Sequence, residues 1–170
     1  MKISPSRGFI SVYLTATIAA ACLSGTPLLA QTPQVEVALQ ARRVVVDQGK
    51  EALVPADKAK PGDVIQYEAS YHNAGKAPVQ HLGAVIPIPV GLALTADSAV
   101  PAASEASLDG KAFSPVPLMR AVKNEAGNME NRPVPLTEYR ALRWNLSEVA
   151  PGSTTTVALR ARVSTNKASQ

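Results

Sequence analysis

VIQYEASYHNAGKAPVQHLGAVIPI, residues Val64 to Ile88, is the stretch that decides the fold class. In its first half Ile65, Tyr67, Ala69 and Tyr71 alternate with Gln66, Glu68, Ser70 and His72. Successive side chains of a strand point to opposite faces, so this segment reads as a strand with one apolar and one polar face. Beyond Asn73-Ala74-Gly75, the residues Leu82, Ala84, Ile86 and Ile88 share one parity and His81 falls on the other. Both histidines of the chain are therefore expected on solvent faces. Asn73 and Gly75 read as turn formers that tolerate positive φ, and Pro87 and Pro89, lacking a ladder donor, end regular pairing.

The same period of two recurs outward from this stretch. Val35, Val37, Leu39 and Ala41 alternate with Glu36 and Gln40, which predicts a half-buried first strand. Arg42-Arg43 interrupts that alternation before Val44-Val45-Val46 resumes it, so a bulge or a change of face is expected near Arg43. Toward the C-terminus Leu142, Trp144 and Leu146 form one inward set, and Val157, Leu159, Ala161 and Val163 form another. Ala56 to Asp63 and Leu108 to Lys111 read as polar turns. KNEAGNMENR, Lys123 to Arg132, lies between Pro115, Pro117 and Pro133, Pro135 and reads as a mobile loop with strand edges on both sides. No segment of a dozen residues after the first thirty carries the i, i+3, i+4, i+7 spacing of an amphipathic helix. The expected fold is all-β: an antiparallel two-sheet sandwich of about seven strands.

The first thirty residues read differently. Lys2 and Arg7 precede a mostly apolar run, Phe9 to Leu23, and Ser24 to Ala30 approaches a cut, which is the layout of a cleaved signal peptide. The run is shorter than the roughly 20 residues of a spanning helix, and Tyr13, Thr15 and Thr17 dilute it, so no transmembrane segment is expected. Cys22, the single cysteine, follows Ala19-Ala20-Ala21, which resembles a lipoprotein box without the Leu or Val usual three residues before the cysteine. Cleavage after Ala30 is preferred to lipidation. It leaves one domain, residues 31–170, in the periplasm or outside the cell, with no cysteine for disulfides, thiol chemistry or thiolate ligands. The formal charge of +4 drops to +2 without Lys2 and Arg7. The remaining basic residues form no run, which argues against nucleic-acid binding.

Order and spacing of the turns carry a resemblance. Pro61-Gly62-Asp63, Tyr67, Asn73-Ala74-Gly75, Pro89-Val90-Gly91-Leu92, Leu142-Arg143-Trp144-Asn145-Leu146, Pro151-Gly152 and the Thr-rich Thr154 to Val163 occur in the sequence in that order. Over about Val37 to Val163 the chain resembles the conserved repeat domain of unknown function found in bacterial surface and secreted proteins. The resemblance implies an immunoglobulin-like sandwich acting as a spacer or adhesive module. Two departures stand out: there is one copy instead of several, and Ile86 occupies a place where many members carry Asp.

Chemistry-bearing residues are few. His72 and His81 are the candidate metal ligands, yet a zinc site needs a third and usually a fourth ligand, and only Glu68 and Asn73 lie near in sequence. Trp144, Tyr67 and Tyr71 would make a sugar-stacking platform, but their parity places them in the core; Tyr139 is the aromatic expected at the surface. No Gly-x-Ser-x-Gly elbow is present, and neither histidine has an orienting partner in sequence. The expected function is that of an exported, non-catalytic structural or interaction domain of the bacterial cell envelope. It needs no cofactor, its ligand-binding residues are open, and its partners are other envelope proteins or cell-surface components. The alternative is a small binding protein for a metal ion or a carbohydrate. Intact-mass spectrometry of the exported product checks the first step: the expected chain begins at Gln31, and a mass that retains residues 1–30 or a diacylated Cys22 contradicts it.

Overall fold

The computed structural model describes residues 35–165; the expected signal peptide, Cys22 and the expected cleavage after Ala30 lie outside the described residues. In chain order the strands are β1 (Val35–Asp47), β2 (Lys50–Pro55), β3 (Val64–Asn73), β4 (Val79–Pro87), β5 (Leu92–Leu94), β6 (Glu105–Ser107), β7 (Ser114–Pro115), β8 (Met119–Lys123), β9 (Met129–Pro133), β10 (Ala141–Val149) and β11 (Thr154–Val163). The only helical segments among the described residues are two 3-10 turns, Ala56–Lys58 and Leu136–Glu138. No helix among these residues is long and apolar enough to cross a membrane. The fold is all-β, with eleven strands where about seven were expected; the surplus is short strands in the Pro-rich middle, which carry no readable period.

Two antiparallel sheets enclose one core. The larger has the order β2-β1-β3-β11-β5, the smaller β4-β10-β6-β7, and β8 and β9 form a separate hairpin. Inward parity is as the sequence implies for four strands. Ile65, Ala69 and Tyr71 of β3, Ala84 and Ile86 of β4, Leu142 and Trp144 of β10, and Val157, Leu159 and Ala161 of β11 are all buried. Trp144 is 2% exposed, and its indole N–H donates to the Pro101 carbonyl at 2.6 Å, so the polar end of the ring is satisfied inside the protein.

Three expectations are corrected. β1 runs without interruption through Arg42-Arg43, because residues 42–44 pair with β3 on one side and with β2 on the other, and the register stays constant. Lys123 to Arg132 is mostly regular hairpin: β8 and β9 pair from Met119 opposite Pro133 to Lys123 opposite Met129. Gly127, at φ +86, turns the chain, and the Asn124 side chain accepts the Asn128 N–H at 2.9 Å. Asn73 and Gly75 are not positive-φ residues. Asn73 is the last residue of β3 and 1% exposed, while a Cβ on Gly75 would meet Asn73 Oδ1 at 3.1 Å, a tight contact with a side chain already held by hydrogen bonds.

Burial of β1 also differs. Val37 faces the same side as Tyr71, and Leu39 the same side as Ala69, across the β1–β3 ladder. That is the core side, yet Val37 is 59% and Leu39 50% exposed. Trp144 and Leu39 therefore differ sharply in what truncation removes. Urea unfolding should show Trp144→Ala losing about 3–5 kcal/mol, the usual cost of deleting a buried aromatic, and Leu39→Ser changing stability by no more than about 0.5 kcal/mol.

Candidate functional site

His72 lies on the outer, polar face of the five-stranded sheet. Its Nδ1 is 3.1 Å from Thr154 Oγ1 on β11, and its ladder neighbour on β1 is Glu36. His81 lies on β4, in the other sheet, and is exposed. The two imidazoles thus belong to the outer sides of different sheets. Among the described residues no three His, Cys, Asp or Glu side chains gather as metal ligands.

His81 has a backbone role instead. Its φ is +52 inside a strand, a conformation open to few residues other than glycine, with histidine, asparagine and aspartate the usual exceptions. Among the described residues β4 is an edge strand, paired with β10 alone. The Tyr71 hydroxyl reaches across from β3 to that edge, accepting the Val85 N–H at 3.0 Å and donating to the Val85 carbonyl at 3.3 Å. Pro87 has no N–H to offer. The kink at His81, the phenol on Val85 and the proline together blunt an edge that would otherwise invite another strand.

The aromatics sort by these contacts. Trp144 and Tyr71 belong to the core. Tyr67 packs against the core while remaining partly exposed, and burial pushes its phenol up. Tyr139, expected at the surface, is 3% exposed, and its hydroxyl accepts the Leu118 N–H at 2.9 Å. The 3-10 turn Leu136–Glu138 directs it inward, and no periodic pattern around it announced this.

One apolar feature left outside the core is on β1. The five-stranded sheet is wider than its partner, and the Tyr71–Val85 bonds place the β4 edge over β3. The inner face of β1 extends past that edge, so Val37, Leu39 and Ala41 form a stripe continuous with the core and open to solvent. The other face of the same strand is polar, with Glu36, Gln40 and Arg42.

Two hollows lie away from β1. One, of about 470 Å³, lies between the Asp109 turn and β8. Its charges are already paired. Asp109 accepts the N–H groups of Lys111 and Ala112 and the Ser107 hydroxyl, at 2.8, 2.9 and 2.9 Å, which holds its carboxyl down at about 2. Arg120 is bound to Glu138. The other, of about 300 Å³, is lined mainly by apolar side chains between Leu94 and Leu142. The chain matches no protein-family model, no curated protein and no solved structure.

Thermal unfolding separates the roles of the histidines. His81→Val forces a β-branched residue into the left-handed region and should cost about 1 kcal/mol or more, whereas His81→Gly should not destabilise. His72→Ala removes a half-exposed side chain with one hydroxyl contact and should change stability by less than about 0.5 kcal/mol.

Proposed function

We propose that this chain is an exported, non-catalytic interaction domain of the bacterial cell envelope, built on an immunoglobulin-like sandwich and working by contact with another envelope component. One observation carries the reading: the Val37-Leu39-Ala41 stripe extends the core's own apolar face into solvent. Strands that need solubility alone place polar residues there, and an exposed apolar extension of a core marks a surface that another molecule covers. The immunoglobulin-like part of the reading rests on the two facing antiparallel sheets. The pairing has its own character, since β10 and β11 lie in different sheets, whereas the closing strands of an immunoglobulin domain share one.

The test is site-specific photo-crosslinking in intact cells followed by fractionation. A crosslinker at Leu39 should give a discrete adduct in the envelope fraction, and the same group at Gln40, one residue along and on the opposite face, should not. Equal labelling from both positions, no adduct at Leu39, or recovery of the protein in the cytoplasm contradicts the proposal.

A further inference from the structure

One edge of β1 is only half taken. Backbone N–H and C=O groups alternate between the two sides of a strand in an antiparallel sheet, so the direction of one residue fixes the others. Asn73 N–H donates to the Ser153 carbonyl at 3.0 Å and its carbonyl accepts the Gly152 N–H at 2.8 Å, so its backbone points toward the β11 side. Val163 N–H donates to the Asp63 carbonyl at 2.8 Å, so Asp63 points the same way. Even-numbered residues of β3 therefore serve β1. Val35 lies opposite Asn73 and Val44 opposite Val64, so even-numbered residues of β1 carry the ladder to β3, and Val35, Val37 and Leu39 turn their backbone groups to the other side. The two-residue turn Gln48-Gly49, closed by Asp47 opposite Lys50, agrees, since it makes odd-numbered residues face β2. Pairing with β2 begins only at Arg42, opposite Pro55. Among the described residues no strand lies beside Val35, Val37 and Leu39 on that side.

Donors and acceptors in a row at strand spacing are matched by another extended backbone, and proteins that need to stay apart protect such a row. The β4 edge is protected by Tyr71, Pro87 and the kink at His81. From Val35 to Leu39 there is no proline, no lysine, no bulge and no charge on the inner face. The segment is also its own complement. A two-fold axis at Val37 sets Val37 against Val37 of a second copy and Val35 against its Leu39, so the three outward residues of each copy satisfy those of the other. On the inner face β-branched and leucine side chains then lie beside one another, and on the outer face Glu36 lies beside Ala38, whose small side chain leaves it room.

We propose that a second copy of this chain adds its β1 to this edge, antiparallel about a two-fold axis at Val37, and joins two five-stranded sheets into one of ten strands. The second copy attaches at the edge and leaves the inner face of β1 uncovered, with two apolar stripes side by side. This contact is therefore separate from the one read on the stripe, and its failure would leave the envelope reading standing.

Sedimentation velocity of the purified exported chain over a dilution series tests it. The ladder is short, so the series runs up to about 1 mM, where a weak contact is populated. The mass should rise to that of two chains. Val37→Pro deletes an N–H that points outward and spares the ladder to β3, so it should weaken the dimer at least about tenfold while thermal unfolding stays cooperative. Disulfide trapping fixes the register, because residues 31–170 contain no cysteine and a substituted one is the single thiol of the exported chain. Under a mild oxidant Val37→Cys should bridge two copies, its Cα atoms lying about 5.5 Å apart at the axis. Ala38→Cys should not, since the two positions 38 are diagonal and about 7–8 Å apart. If Val37→Pro fails to fold, the two cysteine variants decide alone. A monomer throughout the series, a dimer indifferent to Val37→Pro, bridging through Ala38→Cys, or slow amide exchange at Val37 in the monomer, which would mean that the chain covers its own edge, overturns the proposal.

Discussion

The Asn73 carboxamide is the joint on which both sheets hang. Its Nδ2 donates to the carbonyls of Ala77 and Val149, each at 2.9 Å, and its Oδ1 accepts the Gly75 N–H at 3.0 Å. The backbone of the same residue accepts from Gly152 and donates to Ser153. One side chain thus ties the end of β3, the start of the passage to β4, and the turn from β10 to β11. Asn73 itself is 1% exposed and its bond to the Val149 carbonyl is buried, so a residue unable to both donate and accept leaves polar groups unpaired in a low-dielectric setting. Aspartate, nearly the same shape, would turn a carboxylate toward two carbonyl oxygens. Asparagine is required at this place by its donors.

From that joint the unequal widths of the sheets follow. β3 continues into β4 in the other sheet, which places β4 above β3 and leaves Val37, Leu39 and Ala41 of β1 exposed on their inner side. The protein handles the two results oppositely. The β4 edge is closed by Tyr71, Pro87 and the kink at His81, each removing or occupying a backbone group. The β1 face is left apolar and open. Elsewhere the outer surface is served by ordinary polar pairing: Arg160 with Glu51 and Gln66, and Arg143 with Glu105 and the Phe113 ring. Those exposed ion pairs depress Glu51 and Glu105 through their arginines, and at such solvated positions they contribute little to stability.

Parity was legible in the sequence wherever a strand has one face on the opposite sheet, as in β3, β4, β10 and β11. It placed Trp144 inside and both histidines on the outer sides. For β1 it gave the correct face but not the burial, because burial depends on how far the other sheet reaches, which no local pattern records. Arg42-Arg43 looked like a break since two charges interrupt the alternation. Arg43 in fact occupies a core-side position near the end of the cover and reaches Asp63 at 3.4 Å. The hairpin at Lys123 to Arg132 hid behind polarity, although Asn124 and Gly127 were the turn signals that would have found it. The hollow between Leu94 and Leu142 had no sequence signature: its walls come from three separate stretches, and only the run of small residues after Leu94 hinted at room.

β1 and β11 flank β3 and run in the same direction, both antiparallel to it. Val35 begins β1 opposite Asn73, and β11 closes with Arg162 opposite Val64. The chain therefore enters this ribbon at one end of β3 and leaves it at the other, about 30 Å away at the usual rise per residue. Tension applied along these two strands would load the hydrogen bonds of both ladders in shear, so that they resist together. The β8–β9 hairpin, pulled by its neighbouring ends at Met119 and Pro133, would instead unzip one pair at a time. The register of these three strands gives the five-stranded sheet a strong axis.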